Sequence, residues 1–186
     1  TIAPFQGFMV RADPTQLLSP PYTGTLSYAF YQNERTRATN ASFYHTESEN
    51  ALALEVDFNG VKDITRVEFN SSATAGFDGE YDANKYDGDQ GRPTLYSHSS
   101  SMWYSINVQP KLTQVTTVPV GLRPETSGTM TISPQGISSF DPTTYIILED
   151  KKTNTFHDLR AGAYTFTTDV SDNQERFVLH FTPPMQ

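Results

Sequence analysis

Acidic side chains are concentrated in residues 77–91, where Lys85 is the one basic residue and the acids are Asp78, Glu80, Asp82, Asp87 and Asp89. In an extended strand the first three acids would share one face at intervals of about 7 Å. Because Ca²⁺ is bound by several carboxylate and carbonyl oxygens together, the segment is a candidate calcium site that would rigidify the fold.

The same acids have a simpler interpretation. Asp side chains cap turns and keep exposed loops soluble. The spacing is also not that of an EF-hand loop, because Ala83 stands at its sixth position and Asp89 at its twelfth. Both hypotheses stay open at this point: a structural calcium ion, or a capped loop that requires no cofactor.

A second candidate site is aromatic. The chain has 12 Phe, 10 Tyr and one Trp, and exposed rings flanked by polar groups can bind carbohydrate. Trp103 alternates with Met102 and Tyr104, so it points outward if their face is the core. The predicted carbohydrate contacts are Trp103, Tyr96, Tyr86, Tyr81 and Asn107. The alternative is that these rings pack the sheet or meet a neighbouring domain.

The remaining reactive residues do not indicate catalysis. Cysteine is absent, and His45, His98, His157 and His180 lack the spacing of a metal site. No Gly-x-Ser-x-Gly motif is present, and the 21 acids offer too many pairs to nominate two for glycoside hydrolysis. We therefore expect no enzymatic activity.

The elements that must position these residues are β-strands. Apolar and polar residues alternate with a period of two in Ala51–Phe58, Ile64–Phe69, Met102–Val108, Tyr164–Thr167 and Arg176–Phe181, and Tyr145–Leu148 is apolar on both faces. Weaker strands are predicted at Phe5–Arg11, Thr25–Phe30, Leu95–His98, Val118–Leu122, Thr129–Ser133 and Thr155–Leu159. About a dozen short strands separated by turns predict an all-β fold, an antiparallel sandwich or jelly roll. Helix is limited to a turn or two around Asp82–Asp87.

The chain reads most simply as a single sandwich unit over residues 1–186. A sub-boundary is placed near 110–117, where a proline and a threonine-rich run interrupt the strands. Residues 182–186 form an extended linker, because Pro183 and Pro184 cannot donate to a sheet ladder.

Several segments in order along the chain carry a resemblance: Gln6–Val10, Asn33–Arg37, Val67–Asn70, Ala73–Asp78, Tyr81–Lys85, Val118–Leu122, Tyr145–Lys151, Asp158–Leu159, Tyr164–Phe166 and Arg176–Phe181. The succession is similar to a β-rich module of large secreted surface proteins of Bacteroidota, which precedes a type IX secretion C-terminal sorting domain. The resemblance implies that N-terminal strands of the module are missing here, and that another chain or domain supplies them.

Charge and the resemblance together narrow the class of function. The net charge of −8 argues against nucleic acid as a partner, and no apolar stretch is long enough to insert into a membrane. We expect a secreted or cell-surface structural and interaction module whose partners are neighbouring domains or another chain. The alternative is a carbohydrate-binding module that binds polysaccharide through exposed aromatic residues, with structural calcium.

Overall fold

The computed structural model describes residues 50–86, 91–99 and 102–184. Within these residues the all-β prediction is confirmed. The strands are β1 (Asn50–Phe58), β2 (Val61–Asn70), β3 (Ala83–Asn84), β4 (Thr94–Ser99), β5 (Met102–Pro110), β6 (Thr116–Arg123), β7 (Gly128–Gln135), β8 (Tyr145–Asp150), β9 (Thr155–Asp158), β10 (Tyr164–Thr168) and β11 (Phe177–Thr182). The strands predicted at Phe5–Arg11 and Thr25–Phe30 lie outside the described residues.

Helix in the described residues consists of two 3-10 turns, Ile137–Ser139 and Leu159–Ala161. No helix there has the length and apolar character needed to cross a bilayer. The helical turn predicted at Asp82–Asp87 is wrong in its described part, because Ala83 and Asn84 pair with β5 as strand β3. Pairing satisfies backbone groups that one isolated helical turn would leave unbonded.

The β1–β2 hairpin follows directly from its sequence. Leu52, Leu54 and Val56 occupy alternate positions and are at most 1% exposed. Asn59 and Gly60 connect the strands with φ values of 52° and 86°. These positive angles are those of the type I′ turn that matches the twist of a hairpin, which Asn-Gly favours.

The strands form one mixed, nearly barrel-shaped sheet in the order β10-β7-β1-β2-β5-β4-β6-β11-β8-β9, with β3 added to β5. The pairing of β2 with β5 is parallel, in contrast to the antiparallel arrangement predicted from sequence. Residues 71–101 connect β2 to β5, and a connection of this length can return the chain to the starting end of the sheet, as a parallel pair requires.

The sheet divides at β5. Tyr104 pairs with both β4 and β3, and Ile106 pairs with both β2 and β3. Since a residue has only two hydrogen-bonding edges, β2 and β4 must share one edge of β5, with β3 on the other. One half of the sheet is therefore β10-β7-β1-β2, and the other is β4-β6-β11-β8-β9.

Side chains of β2 bridge the gap to β4 where the two halves diverge. Asp63 Oδ2 accepts a hydrogen bond from Leu95 N at 2.7 Å, and Thr65 Oγ1 accepts one from Ser97 N at 3.2 Å. The Thr65 hydroxyl also donates to Tyr104 O at 3.0 Å. Two alternate side chains of β2 thus satisfy alternate N–H groups of β4, which keeps the diverging strands joined.

The hydrophobic core lies between the two halves. Phe69 of β2 contacts Phe181 of β11 edge to face, with ring centroids 5.0 Å apart, and Phe166 of β10 contacts Phe177 of β11 at 5.1 Å. The inward residues predicted for the last strand, Phe177, Leu179 and Phe181, are all 0% exposed. That part of the sequence prediction is confirmed.

Strand β8 is central, between β11 and β9, as its apolar sequence predicted. It is not covered on both faces, however, because Tyr145 is 64% exposed. On either side of the predicted sub-boundary, β5 and β6 both pair with β4. The single-unit, sub-boundary and linker assignments stay predictions.

Candidate functional site

Two of the predicted carbohydrate contacts lie against each other on the outer face of β4 and β5. Leu95 belongs to the core, so its neighbour Tyr96 points to the opposite face. His98 is directly opposite Trp103 in the ladder, so Tyr96, His98 and Trp103 share this outer face. The rings of Tyr96 and Trp103 are stacked, with centroids 4.0 Å apart and an angle of 14° between their planes.

A glycine makes room for the stack. Gly121 of β6 pairs with Tyr96, and a Cβ atom at that position would lie 2.2 Å from the tyrosine ring. A residue larger than glycine would fit at position 121 only if the Tyr96 ring moved. Tyr96 is therefore held between the backbone of β6 and the indole of Trp103, and it is 2% exposed.

The other three predicted contacts are dispersed. Asn107 is 3% exposed and accepts a hydrogen bond from Gln109 Nε2 at 2.6 Å. Tyr86 is 44% exposed, and Tyr81 is half-buried in the loop before β3. Tyr96 and Asn107 offer almost no surface to a ligand, which leaves Trp103, Tyr81 and Tyr86 accessible. The carbohydrate site stays a prediction.

The first part of the acidic segment forms a turn, one of the arrangements that the sequence left open. Tyr81 N and Asp82 N both donate to Asp78 O, at 2.9 and 2.7 Å. The Asp82 carboxylate accepts hydrogen bonds from Asp78 N at 2.8 Å and from Val108 N at 2.7 Å. The Asp78 carboxylate accepts one from Thr74 N at 2.6 Å. Asp82 therefore closes the turn and binds an N–H group of β5.

The remaining acids of the segment do not join this turn in the described structure. Glu80 is exposed, and Asp87 and Asp89 lie outside the described residues. Among the residues that are described, no group of three or more His, Cys, Asp or Glu side chains is arranged to hold a metal ion. Burial raises the pKa of Asp82, and its hydrogen bonds offset this only in part. Calcium binding stays a prediction.

The most deeply buried charges form a cluster that we term the ionic seam: Asp150, Tyr164, Thr167 and Arg176. Arg176 is 3% exposed and Asp150 is 0% exposed. The guanidinium donates to both oxygens of Asp150, at 2.7 and 2.6 Å, and to Thr167 O at 2.8 Å. Tyr164 OH donates to Asp150 Oδ2 at 2.9 Å. The seam joins β8 and the start of β11 to the edge strand β10.

Neighbouring rings and hydrogen bonds stabilise both charges of the ionic seam. Arg176 lies 4.7 Å from the centroid of the Phe166 ring and 5.1 Å from that of Phe177, which are cation–π distances. Burial raises the pKa of Asp150, but the hydrogen bonds from Arg176 and Tyr164 outweigh it and hold the pKa below its ordinary value of 3.8. Asp150 is thus ionised at neutral pH and paired.

Sequence reasoning assigned no role to Arg176 or Asp150. The sequence signal is weak: Asp150 and Arg176 each stand beside other charged residues at the end of an apolar strand. Charges at strand ends are usually solvated, so neither position stands out. The bidentate pair exists because the two positions, 26 residues apart, lie on neighbouring strands.

Apolar side chains are exposed on the outer face of β8 and β9. Tyr145 and Phe156, on these two strands, are 64% and 61% exposed. His180 Nε2 lies 2.7 Å from Glu149 Oε2 between them, and the His180 and Phe156 ring centroids are 6.0 Å apart. This outer face is the second surface on which a partner could bind.

The chain matches over residues 1–181 the family described as Domain of unknown function (DUF8693), and it belongs to that family. No curated protein and no solved structure matches it.

Proposed function

We propose that the chain is a non-catalytic structural and interaction module of a secreted or cell-surface bacterial protein, where it forms part of a larger surface assembly. The observation that supports this is the structural role of one buried acid, Asp150, and of two half-buried acids, Asp82 and Asp63. Asp150, Asp82 and Asp63 each accept hydrogen bonds that join strands or close a turn. A catalytic carboxylate instead needs an oxygen free to reach a substrate proton.

In this proposal the two halves of the mixed sheet act as the layers of the sandwich or jelly roll expected from the sequence. Their inward side chains pack in one core, and the ionic seam holds the edge strand β10 against β8 and β11. A fold tied together in this way opens rarely, so it keeps its shape. That property suits a spacer that carries other domains outside the cell.

The partners in this proposal are neighbouring domains of the same protein or another chain. Tyr145 and Phe156 provide an apolar contact surface. In the described part of the sheet β9 and β10 are the end strands, and an additional strand could pair with them. The acidic net charge of −8 disfavours nucleic acid, and no membrane insertion is proposed.

Surface location is tested on intact cells of the source organism. An antibody against the chain detects the protein before and after proteinase K treatment, with a cytoplasmic protein as the control for lysis. We expect the epitope to be lost while the cytoplasmic control survives. Protection of both proteins until the cells are lysed would contradict a surface location.

Assembly is tested by light scattering of the purified chain. We compare the wild type with Tyr145→Ser and Phe156→Ser, and we use Tyr86→Ser, which is 44% exposed in another part of the fold, as the matched control. We expect association that the first two variants weaken and the control leaves intact. Equal weakening by all three variants would contradict a specific role for the outer face of β8 and β9.

A further inference from the structure

The Tyr96–Trp103 stack lies on the face of the sheet opposite the hydrophobic core cluster, with Tyr96 buried beneath Trp103. Neither ring belongs to the core cluster, since both project from the outer face of the sheet. Tyr96 lies against Gly121, and Trp103 lies on Tyr96 at a centroid distance of 4.0 Å and an angle of 14°. Trp103 is half-buried, so part of the indole is accessible to solvent.

The histidine beside this indole is uncharged, and two charged side chains lie near that histidine. His98 stands directly opposite Trp103, and its ring lies 5.9 Å from that of Tyr96. Burial holds the pKa of His98 below its ordinary value of 6.5, so the imidazole is neutral at neutral pH. The exposed side chains of Glu175 and Lys151 are close enough for their charges to act on His98.

We propose that Trp103, held flat by Tyr96 and Gly121, is a stacking platform for one pyranose ring of a neutral polysaccharide. The C–H face of the sugar packs on the indole. This activity goes beyond the proposed role as a structural module and does not depend on it.

Two observations favour a neutral sugar over other flat ligands. The net charge of −8 repels nucleic acid and anionic glycans. The platform is one indole wide, which matches a single sugar ring and falls short of the roughly 800 Å² per partner that a stable protein interface buries. Gly121 further indicates that the platform is rigid before binding, because a fixed ring loses little entropy when a ligand stacks on it.

The test uses the fact that Trp103 is the one tryptophan of the chain. The full chain is titrated with cellohexaose, xylohexaose, mannohexaose and chitohexaose while tryptophan emission is recorded. We expect one sugar class to change the emission and to saturate, with a dissociation constant below about 1 mM. Absence of any change with all four sugars at about 10 mM would overturn the proposal.

Variants then locate the binding by calorimetry, since Trp103→Ala removes the fluorescent reporter. We expect Trp103→Ala to weaken binding at least about tenfold, with Trp103→Phe intermediate. Gly121→Ala should also weaken binding, because the added methyl displaces Tyr96 and tilts the platform. Phe156→Ala, a change at an exposed ring elsewhere, is the matched control and should bind as the wild type does. If Phe156→Ala weakens binding as much as Trp103→Ala, the site is not Trp103.

Discussion

Replacement of Arg176 by Met tests how much the ionic seam contributes to stability. Methionine keeps the apolar stem of the side chain and removes the guanidinium, which donates to both oxygens of Asp150 and to Thr167 O. Asp150 would remain fully buried with Tyr164 OH and Lys152 N as donors, at 2.9 and 3.0 Å, and with no counter-charge in contact.

Removal of one partner of a buried ion pair lowers the free energy of unfolding by about 3–5 kcal/mol, because an uncompensated charge stays in the interior. For a chain of this size each kcal/mol lowers the melting temperature by roughly 2–4 °C, so we expect a decrease of about 6–20 °C. The control is Arg92→Met, because Arg92 is exposed and the one hydrogen bond that its side chain makes within the described residues is to Lys62 O, at 3.2 Å. We expect it to change stability by no more than about 0.5 kcal/mol.

The assay is urea unfolding followed by the emission of Trp103, with circular dichroism as a second probe. A double-mutant cycle with Asp150→Leu separates the pair from its surroundings. The double variant should be more stable than the sum of the single changes predicts, by about 2 kcal/mol or more, because removing both charges leaves none unpaired. A loss below about 1 kcal/mol for Arg176→Met, or strict additivity in the cycle, would refute the reasoning.

The same pair predicts a pH dependence. The pKa of Asp150 in the folded protein lies below its ordinary value of 3.8. Its pairing therefore stabilises the fold above about pH 4 and is lost as the pH falls through the folded pKa. In Arg176→Met the buried carboxyl has a raised pKa, so protonation relieves its cost. The stability difference between wild type and variant should shrink from about pH 7 to about pH 3, and a constant difference would contradict this explanation.

Three further changes probe other contacts. Thr65→Val keeps the shape of a fully buried side chain but removes the hydroxyl that bonds Ser97 N and the Tyr104 carbonyl. Urea unfolding should show that the free energy of unfolding falls by about 2–3 kcal/mol. Thr65→Ser, which keeps the hydroxyl, should lower it clearly less. Gly121→Ala should cost about 1–3 kcal/mol through overpacking and change the near-ultraviolet circular dichroism of the stacked rings; an unchanged spectrum would show that the ring is not displaced. Addition of Ca²⁺ or of a chelator should leave the melting temperature unchanged, because both Asp82 oxygens already accept backbone N–H groups; a clear rise with Ca²⁺ would instead support the calcium site.

The candidate sites were only partly predictable from sequence. Trp103 was named from residue type and from alternation along its strand, and Tyr96 from residue type and nearness in sequence; the structure brings the two rings into contact. Asn107 was named by the same alternation, yet it is buried, because alternation assigns a side chain to a face and does not say what covers that face. For the acidic segment the sequence left an extended strand and a capped loop both open, and the structure shows a turn at Asp78–Asp82. Its shape depends on an N–H group of Val108, which is distant in sequence.

What the sequence determined by itself is the local structure: the strands, the Asn59-Gly60 turn and the inward residues of β1 and β11. These follow from backbone sterics and from a side-chain period of two, which act between near neighbours. The tertiary structure alone decided the parallel pairing of β2 with β5, the bridge from Thr65 to β4, and the bidentate pair of Arg176 with Asp150. Each of these joins residues more than twenty positions apart, and their proximity depends on how the whole sheet closes, which no local pattern encodes.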